Sequence, residues 1–278
     1  MPVIVVAGDQ RGAGASTVAV GLAHKLAYAG QSVTLVRVAG DDRADADART
    51  FASLEFADAS GAAVAADAVQ AAAQGVTIVE AAAGNDGAAL ASRLGGKVLR
   101  VTSNSAAAAG TIANHTATAG AGTIAEDRLL AAPTVAALAL ASNAQVLTRS
   151  ATGDDAVVEH IVIGAISHDS NVPYFDRFSR KAVVTRAERV DIALSALRTE
   201  TECLILTGGG EPSPYILDRV AASRSTTLLL APEGTVETIR DIEGTFGHVA
   251  FSGEAKVERA AELVAAALDD AAVAALLS

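Results

Sequence analysis

VIVVAGDQRGAGASTVAVGL, Val3–Leu22, is the stretch whose reading decides the fold. Val3 to Ala7 is a short unbroken apolar run, the pattern of a strand buried on both faces of a parallel sheet. Gly8, Gly12 and Gly14 follow, and Ser16 and Thr17 open an apolar-periodic helix carrying Val18, Val20 and Leu22. An anion-cradling turn needs this order. Glycines let the backbone curl its N–H groups toward a phosphate, and the next helix adds its positive N-terminal end. Ser16 stands where such loops place the hydroxyl that holds Mg²⁺. The expected phosphate contacts are therefore Gly8, Gly12, Gly14, Ala15, Ser16 and Thr17, with Arg11 lending charge from within the loop.

One position departs from the pattern. The usual loop ends Gly-Lys-Ser/Thr, and here Gly14-Ala15-Ser16 puts a methyl group where an ammonium reaches the β- and γ-phosphates. A charged hydrogen bond of that kind is worth about 1.5–3 kcal/mol, or about ten- to a hundredfold in affinity. Phosphoryl transfer would lose more, because charge stabilisation is most of its catalysis. Phosphate binding is expected and efficient hydrolysis is not; a ligand-free turn is the plainer alternative.

The remaining composition narrows the classes. With 278 residues, one large or two modest domains are expected. Hydrophobic residues make up 51% and aromatics only 3%, so the core must be built from Ala, Val, Leu and Ile. Charge or glycine breaks every apolar run well before 18 residues, so no membrane span is expected. The N-terminus MPVIVVAGDQ lacks a basic n-region and does not read as a signal peptide. Cys203 is the single cysteine, which excludes an intramolecular disulfide and a Cys-cluster zinc site and suits a reducing cytoplasm. A net charge of −11 argues against nucleic acid or an anionic membrane as partners.

Working outward, Gln31–Val38 reads as a second buried strand. Ligands gather at the C-terminal edge of open α/β sheets, so Arg37 is expected to face phosphate there and, with Arg11, partly replace the lysine. The acidic stretch Asp41–Ala48 reads as a loop entering a helix, with Asp45 and Asp47 more often solvated than ligating. Ala62–Ala73 is a helix by propensity. Gly75–Glu80 is a third strand, and an unpaired buried carboxylate is costly, so Glu80 should face the phosphate and Mg²⁺ or be paired. Lys97–Thr102 and Gly110–His115 follow as strands. The Asn114 amide offers a donor and an acceptor suited to reading a base, and His115 reads as a surface residue. A helix is expected over Pro133–Ala144, and Thr148–Asp155 is the best boundary between halves.

Beyond it, strands at His160–Ile166, Lys181–Thr185, Glu202–Thr207 and Thr226–Leu230 alternate with helices, a loop covers Asp169–Asp176, and Val249–Phe251 reads as a short strand. That alternation predicts a second parallel α/β layer. Gly253–Leu277 closes as one or two helices, its stripe of Val257, Ala261, Val264 and Leu268 facing core or a subunit contact.

GDQRGAGAS resembles the phosphate loop of dethiobiotin-synthetase-like ATPases in its spacing. Arg37 falls where that family has a basic residue, Glu80 with Ala81–Gly84 resembles its Glu-Gly-x-Gly-Gly stretch, and Asn114 resembles its base-reading asparagine. Glu126–Val135, EDRLLAAPTV, looks like the segment ending this domain in long bacterial phosphotransacetylases. Glu188-Arg189, Thr207-Gly208-Gly209, Pro212-Ser213 and Thr235 with Thr238 look like a DRTGG domain, Glu188 standing for the Asp. The tandem resembles the N-terminal regulatory region of those phosphotransacetylases, without their catalytic domain.

The resemblance implies an α/β fold: a parallel-sheet P-loop NTPase-like domain over 1–150, a smaller α/β DRTGG domain over 151–252 and a helical segment over 253–278. It implies ATP or ADP with Mg²⁺, the metal held by Ser16 and, through water, by Glu80. It also implies a second anion site lined by Arg189, Thr207, Gly208, Gly209 and Ser213, where the triglycine permits close backbone approach. The resulting expectation is a cytoplasmic, homo-oligomeric regulatory protein that binds a nucleotide or small phosphometabolite and has a metabolic enzyme as a further partner. Ala15 and the missing acyl-transfer domain point away from catalysis. Two alternatives stand beside it: an ATP-dependent ligase resembling dethiobiotin synthetase or the cobyrinate amidating enzymes, and a structural oligomerisation partner that binds nothing.

Overall fold

The computed structural model describes residues 1–103, 110–164 and 171–278. They form two units, Met1–Leu130 with Ala250–Ser278, and Ala131–Val249. In chain order the first contains β1 (Val3–Gly8), α1 (Ala15–Tyr28), β2 (Val33–Arg37), α2 (Ala44–Ala52), β3 (Val76–Glu80), α3 (Ala88–Leu94), β4 (Lys97–Thr102), β5 (Thr111–Thr116) and β6 (Thr123–Ala125). A short α4 (Arg128–Ala131) follows. The second contains α5 (Val135–Ala141), β7 (Gln145–Thr148), β8 (His160–Ile163), α6 (Asn171–Phe175), β9 (Lys181–Arg186), α7 (Val190–Ala196), β10 (Cys203–Thr207), α8 (Pro214–Ser223), β11 (Thr227–Leu230) and α9 (Thr235–Glu243). The last two helices, α10 (Glu254–Ala267) and α11 (Asp270–Leu277), return to the first unit.

In the first unit the sheet order is β2-β3-β1-β4-β5-β6, with every pair parallel. β1 is central and buried throughout, as its unbroken apolar run requires. Its side chains alternate between two cores. Ile4 and Val6 pack with Val18, Leu22 and Leu26 of α1, whereas Val3, Val5 and Ala7 pack with Val79 and Ala91. Burial of each large side chain contributes about 1.5–3 kcal/mol. With few aromatics, close packing comes from small residues. A Cβ on Gly21 of α1 would stand 2.5 Å from Ala260 O and 2.6 Å from Val264 Cβ of α10.

Ala62–Ala73 is not the helix that propensity predicts. Val64 instead forms a parallel bridge to Val38, with Val64 N donating to Arg37 O and Ala39 N donating to Val64 O, each at 2.9 Å. Only a single 3-10 turn, Ala66–Ala68, remains. The unpaired edge of β2 offers backbone partners, and that outweighs a few tenths of a kcal/mol per alanine in helix propensity.

In the second unit the order is β7-β11-β10-β9-β8. β8 to β11 are parallel, but β7 pairs antiparallel with β11, so this sheet is mixed where a parallel one was expected. β7 also carries Thr148 into this unit, which begins at Ala131 rather than near residue 150. Thr134 caps α5 by accepting from Ala137 N, leaving Pro133 just outside the helix. Part of the expected 169–176 loop is α6, while 165–166 and 169–170 lie outside the described residues. Val249–Phe251 forms no strand. Among the described residues, no helix is long and apolar enough to cross a membrane.

Candidate phosphate-binding site

β1, β2 and β3 end side by side at Gly8, Arg37 and Glu80, and the glycine-rich loop leaves from the first of them. Gly12 and Gly14 have φ of 80° and 94°, a left-handed backbone that favours glycine. Gly14 caps α1 without any side-chain hydrogen bond. Val18 N returns to Gly14 O, but the amides of Gly14, Ala15, Ser16 and Thr17 have no acceptor among the described residues. A helix start with unmet N–H groups and its positive dipole end suits a phosphate. Gly8 ends the strand with room for the loop to fold back, a Cβ there lying 3.3 Å from that of Ala13.

Two residues of β5 hold the loop from below. Asn114 is buried and donates from Nδ2 to Ala13 O at 2.8 Å, and any Cβ on Gly14 would collide with that amide. Asn114 therefore braces the loop through one amide hydrogen. His115, with φ of 56°, places Nε2 3.0 Å from Gly12 O. Sequence reasoning passed over it because an exposed histidine at a strand end carries no distinguishing signal.

Arg37 is 4% exposed and points among carboxylates rather than toward a phosphate. Its guanidinium reaches Asp41 Oδ2 at 2.6 Å, Asp47 Oδ2 at 3.3 Å and Glu80 Oε2 at 3.6 Å, and it donates to Val38 O at 2.7 Å. One buried cation thus serves three carboxylates. Burial works against Asp41, yet Arg37 and the Ala83 amide hold that group below the usual carboxylate range. Burial dominates at Asp47 and raises it despite Arg37. Burial also pushes Glu80 up to about 8, against the pull of Arg37. Arg11 is exposed and paired with Asp42 at 2.7 Å.

Ser16 and Glu80 do come together: Ser16 Oγ donates to Glu80 Oε1 at 2.8 Å. Glu80 Oε2 is buried without a hydrogen-bond partner among the described residues. A hydroxyl and one carboxylate beside a phosphate fit Mg²⁺, which takes one or two carboxylates together with phosphate oxygens and water. No group of three or more His, Cys, Asp or Glu suited to a metal occurs among the described residues.

The second expected anion site does not assemble. The Gly208 and Gly209 amides donate to Glu233 O at 2.7 Å and Ala231 O at 3.1 Å. Thr207 Oγ1 shares a hydrogen bond with Thr235 Oγ1 at 2.8 Å, and Arg189 grips Asp191 through Nε and Nη2 at 3.1 and 3.0 Å. Ser213 precedes α8 without capping it. Gly208 and Gly209 tie the end of β10 to the turn after β11, and Thr207 ties it to the start of α9.

Two comparisons bear on this chain. Residues 137–245 match the model of the DRTGG domain family. Among solved structures, the chain is similar to the CBS and DRTGG domains of the regulatory region of Clostridium perfringens pyrophosphatase, complexed with the activator diadenosine tetraphosphate. That similarity has 18% identity and a TM-score of 0.38 over 47% of this chain and 56% of that one. The chain thus matches little more than half the length of that relative. Residues 137–245 are a DRTGG domain.

Proposed function

We propose that this is a regulatory protein whose first unit binds the phosphate chain of a nucleotide or small phosphometabolite, and whose DRTGG domain follows it in a tandem resembling the N-terminal region of long phosphotransacetylases. One observation carries the reading. The amides of Gly14, Ala15, Ser16 and Thr17 lack acceptors among the described residues at the start of a 14-residue helix, beside a Ser16–Glu80 pair whose second carboxylate oxygen accepts no hydrogen bond. Ser16 and Glu80 would hold Mg²⁺, and the chemistry it would supply there is neutralisation of phosphate charge. With Ala15 in place of lysine, the site is read as a binding site and not as a hydrolytic one.

Isothermal titration of ATP and ADP, each with Mg²⁺, tests the reading. Micromolar binding by the wild type, weakened at least tenfold in Gly14→Val, supports it. No heat from either nucleotide or from inorganic pyrophosphate would sink it.

A further inference from the structure

We infer that Lys256 of α10 supplies the phosphate-facing ammonium that the loop lacks at Ala15. The inference rests on the phosphate-binding reading above and assigns its missing cation. α1 and α10 lie in contact and run parallel. Gly21 is level with Ala260 and Val264, and one turn further on Lys25 Nζ donates to Leu268 O at 2.7 Å. Stepping one turn back along both helices, about 6 Å, brings Lys256 level with Thr17, inside the run of amides without acceptors. Phe251 anchors the chain just before α10, its amide donating to Asp47 Oδ1 at 3.2 Å, and Asp47 in turn holds Arg37 at the strand edge where Glu80 ends.

Lys256 is 1% exposed and lies on the buried face of α10 with Ala260, Val264 and Ala267. Its side chain makes no hydrogen bond or ion pair among the described residues. Burial, with Arg43 as the neighbouring charge, lowers its ammonium to about 8. Lys181 in the second unit shows how a structural buried lysine is accommodated: equally buried, it donates to the Phe178 and Glu200 carbonyls. Lys256 has no such carbonyls. Arg11 and Arg37 are already paired with carboxylates, so neither stands in for the loop lysine as Lys256 does. A buried ammonium without a counter-charge is costly until an anion reaches it. Phosphate oxygens at the α1 N-terminus are that anion, and an ammonium there adds the charge-assisted bond that backbone amides alone do not provide.

The test titrates inorganic pyrophosphate and MgATP into wild type, Lys256→Met and the double variant Ala15→Lys/Lys256→Met. Lys256→Met is expected to weaken both ligands by about ten- to a hundredfold, while its melting temperature without ligand holds or rises. The double variant, with lysine restored at the usual loop position, is expected to return to within about threefold of wild type. Lys256→Gln serves if the methionine variant does not fold, with the same expected loss. Binding by Lys256→Met or Lys256→Gln within about twofold of wild type overturns the inference and leaves the phosphate reading standing. A wild type that binds neither ligand overturns both.

Discussion

Asn114 Nδ2 donates to Ala13 O at 2.8 Å, joining the middle of β5 to the loop between β1 and α1 across 101 positions of sequence. The loop's shape is therefore set from the sheet below it, before any ligand arrives. Asn114→Ala leaves the Ala13 carbonyl without this donor and should lower stability by about 1–3 kcal/mol. It should also weaken phosphate binding more than that loss of stability alone implies. Urea denaturation and calorimetric titration on the same variant check both.

Arg37→Met would leave Asp41, Asp47 and Glu80 buried without their shared cation. Breaking such a cluster on one side costs about 3–5 kcal/mol. The sign with pH follows from the carboxylates. Protonation relieves the unpaired charge, so the variant should lose less at pH 5 than at pH 8. An equal loss at both would show that the guanidinium acts by packing and not by charge.

Lys256 gives a pH dependence of the opposite kind. Its ordinary value is 10.5, and in the fold it is lowered to about 8. Below about 8 both the folded and unfolded chains carry the charge. Between about 8 and 10.5 the unfolded chain binds more protons, so stability rises with pH across that window. The full span corresponds to about 3 kcal/mol. Without ligand, Lys256→Met should therefore be more stable than wild type at pH 7, and the difference should narrow as pH rises. Melting curves of both proteins from pH 7 to 10 read it directly.

Gly21→Val would drive a side chain into Ala260 O and Val264. Both are packed in the core, and one of them is backbone, so the helices must separate. Overpacking of this kind costs about 1–3 kcal/mol. A lowered denaturation midpoint with unchanged slope is expected.

In the second unit, Arg189→Ala and Thr207→Val should behave differently. Arg189 pairs with Asp191 on the surface, where solvent screens the pair, so its removal should leave the melt nearly unchanged. Thr207 is fully buried and bonded to Thr235, so removing its hydroxyl should cost about 1–3 kcal/mol. Thermal melts of the two variants compare them. A large loss for Arg189→Ala would mean the arginine has a role its present contacts do not explain.

The sequence was most legible where one physical requirement ruled. Val3–Ala7 read as a doubly buried strand because nothing else suits five consecutive apolar residues before a glycine loop. Ser16 and Glu80 read as one site because the loop leaving β1 and the end of β3 share an edge of the parallel sheet. Arg37 and Asn114 stand at that edge as well, but their partners are not legible in the sequence. Position along a strand does not reveal which neighbours take up a side chain's hydrogen bonds. Arg37 is captured by Asp41 and Asp47, and Asn114 by the Ala13 carbonyl. Ala62–Ala73 failed because local propensity knows nothing of the open edge of β2. Lys256 did leave a trace, a cation among the apolar positions of α10. The apolar stripe of Val257, Ala261, Val264 and Leu268 begins one position away from the lysine on the same side of the helix.

The closing helices α10 and α11 belong to the first unit, although all of residues 131–249 intervene. During synthesis, β1 to β6 leave the ribosome well before Phe251, Ala260, Val264 and Leu268 exist to cover their core. At typical elongation rates the wait is roughly ten seconds. Throughout it, the face of α1 around Gly21 is open to water and to neighbouring nascent chains. Residues 131–249 are fully synthesised before the segment that completes the unit preceding them in the sequence.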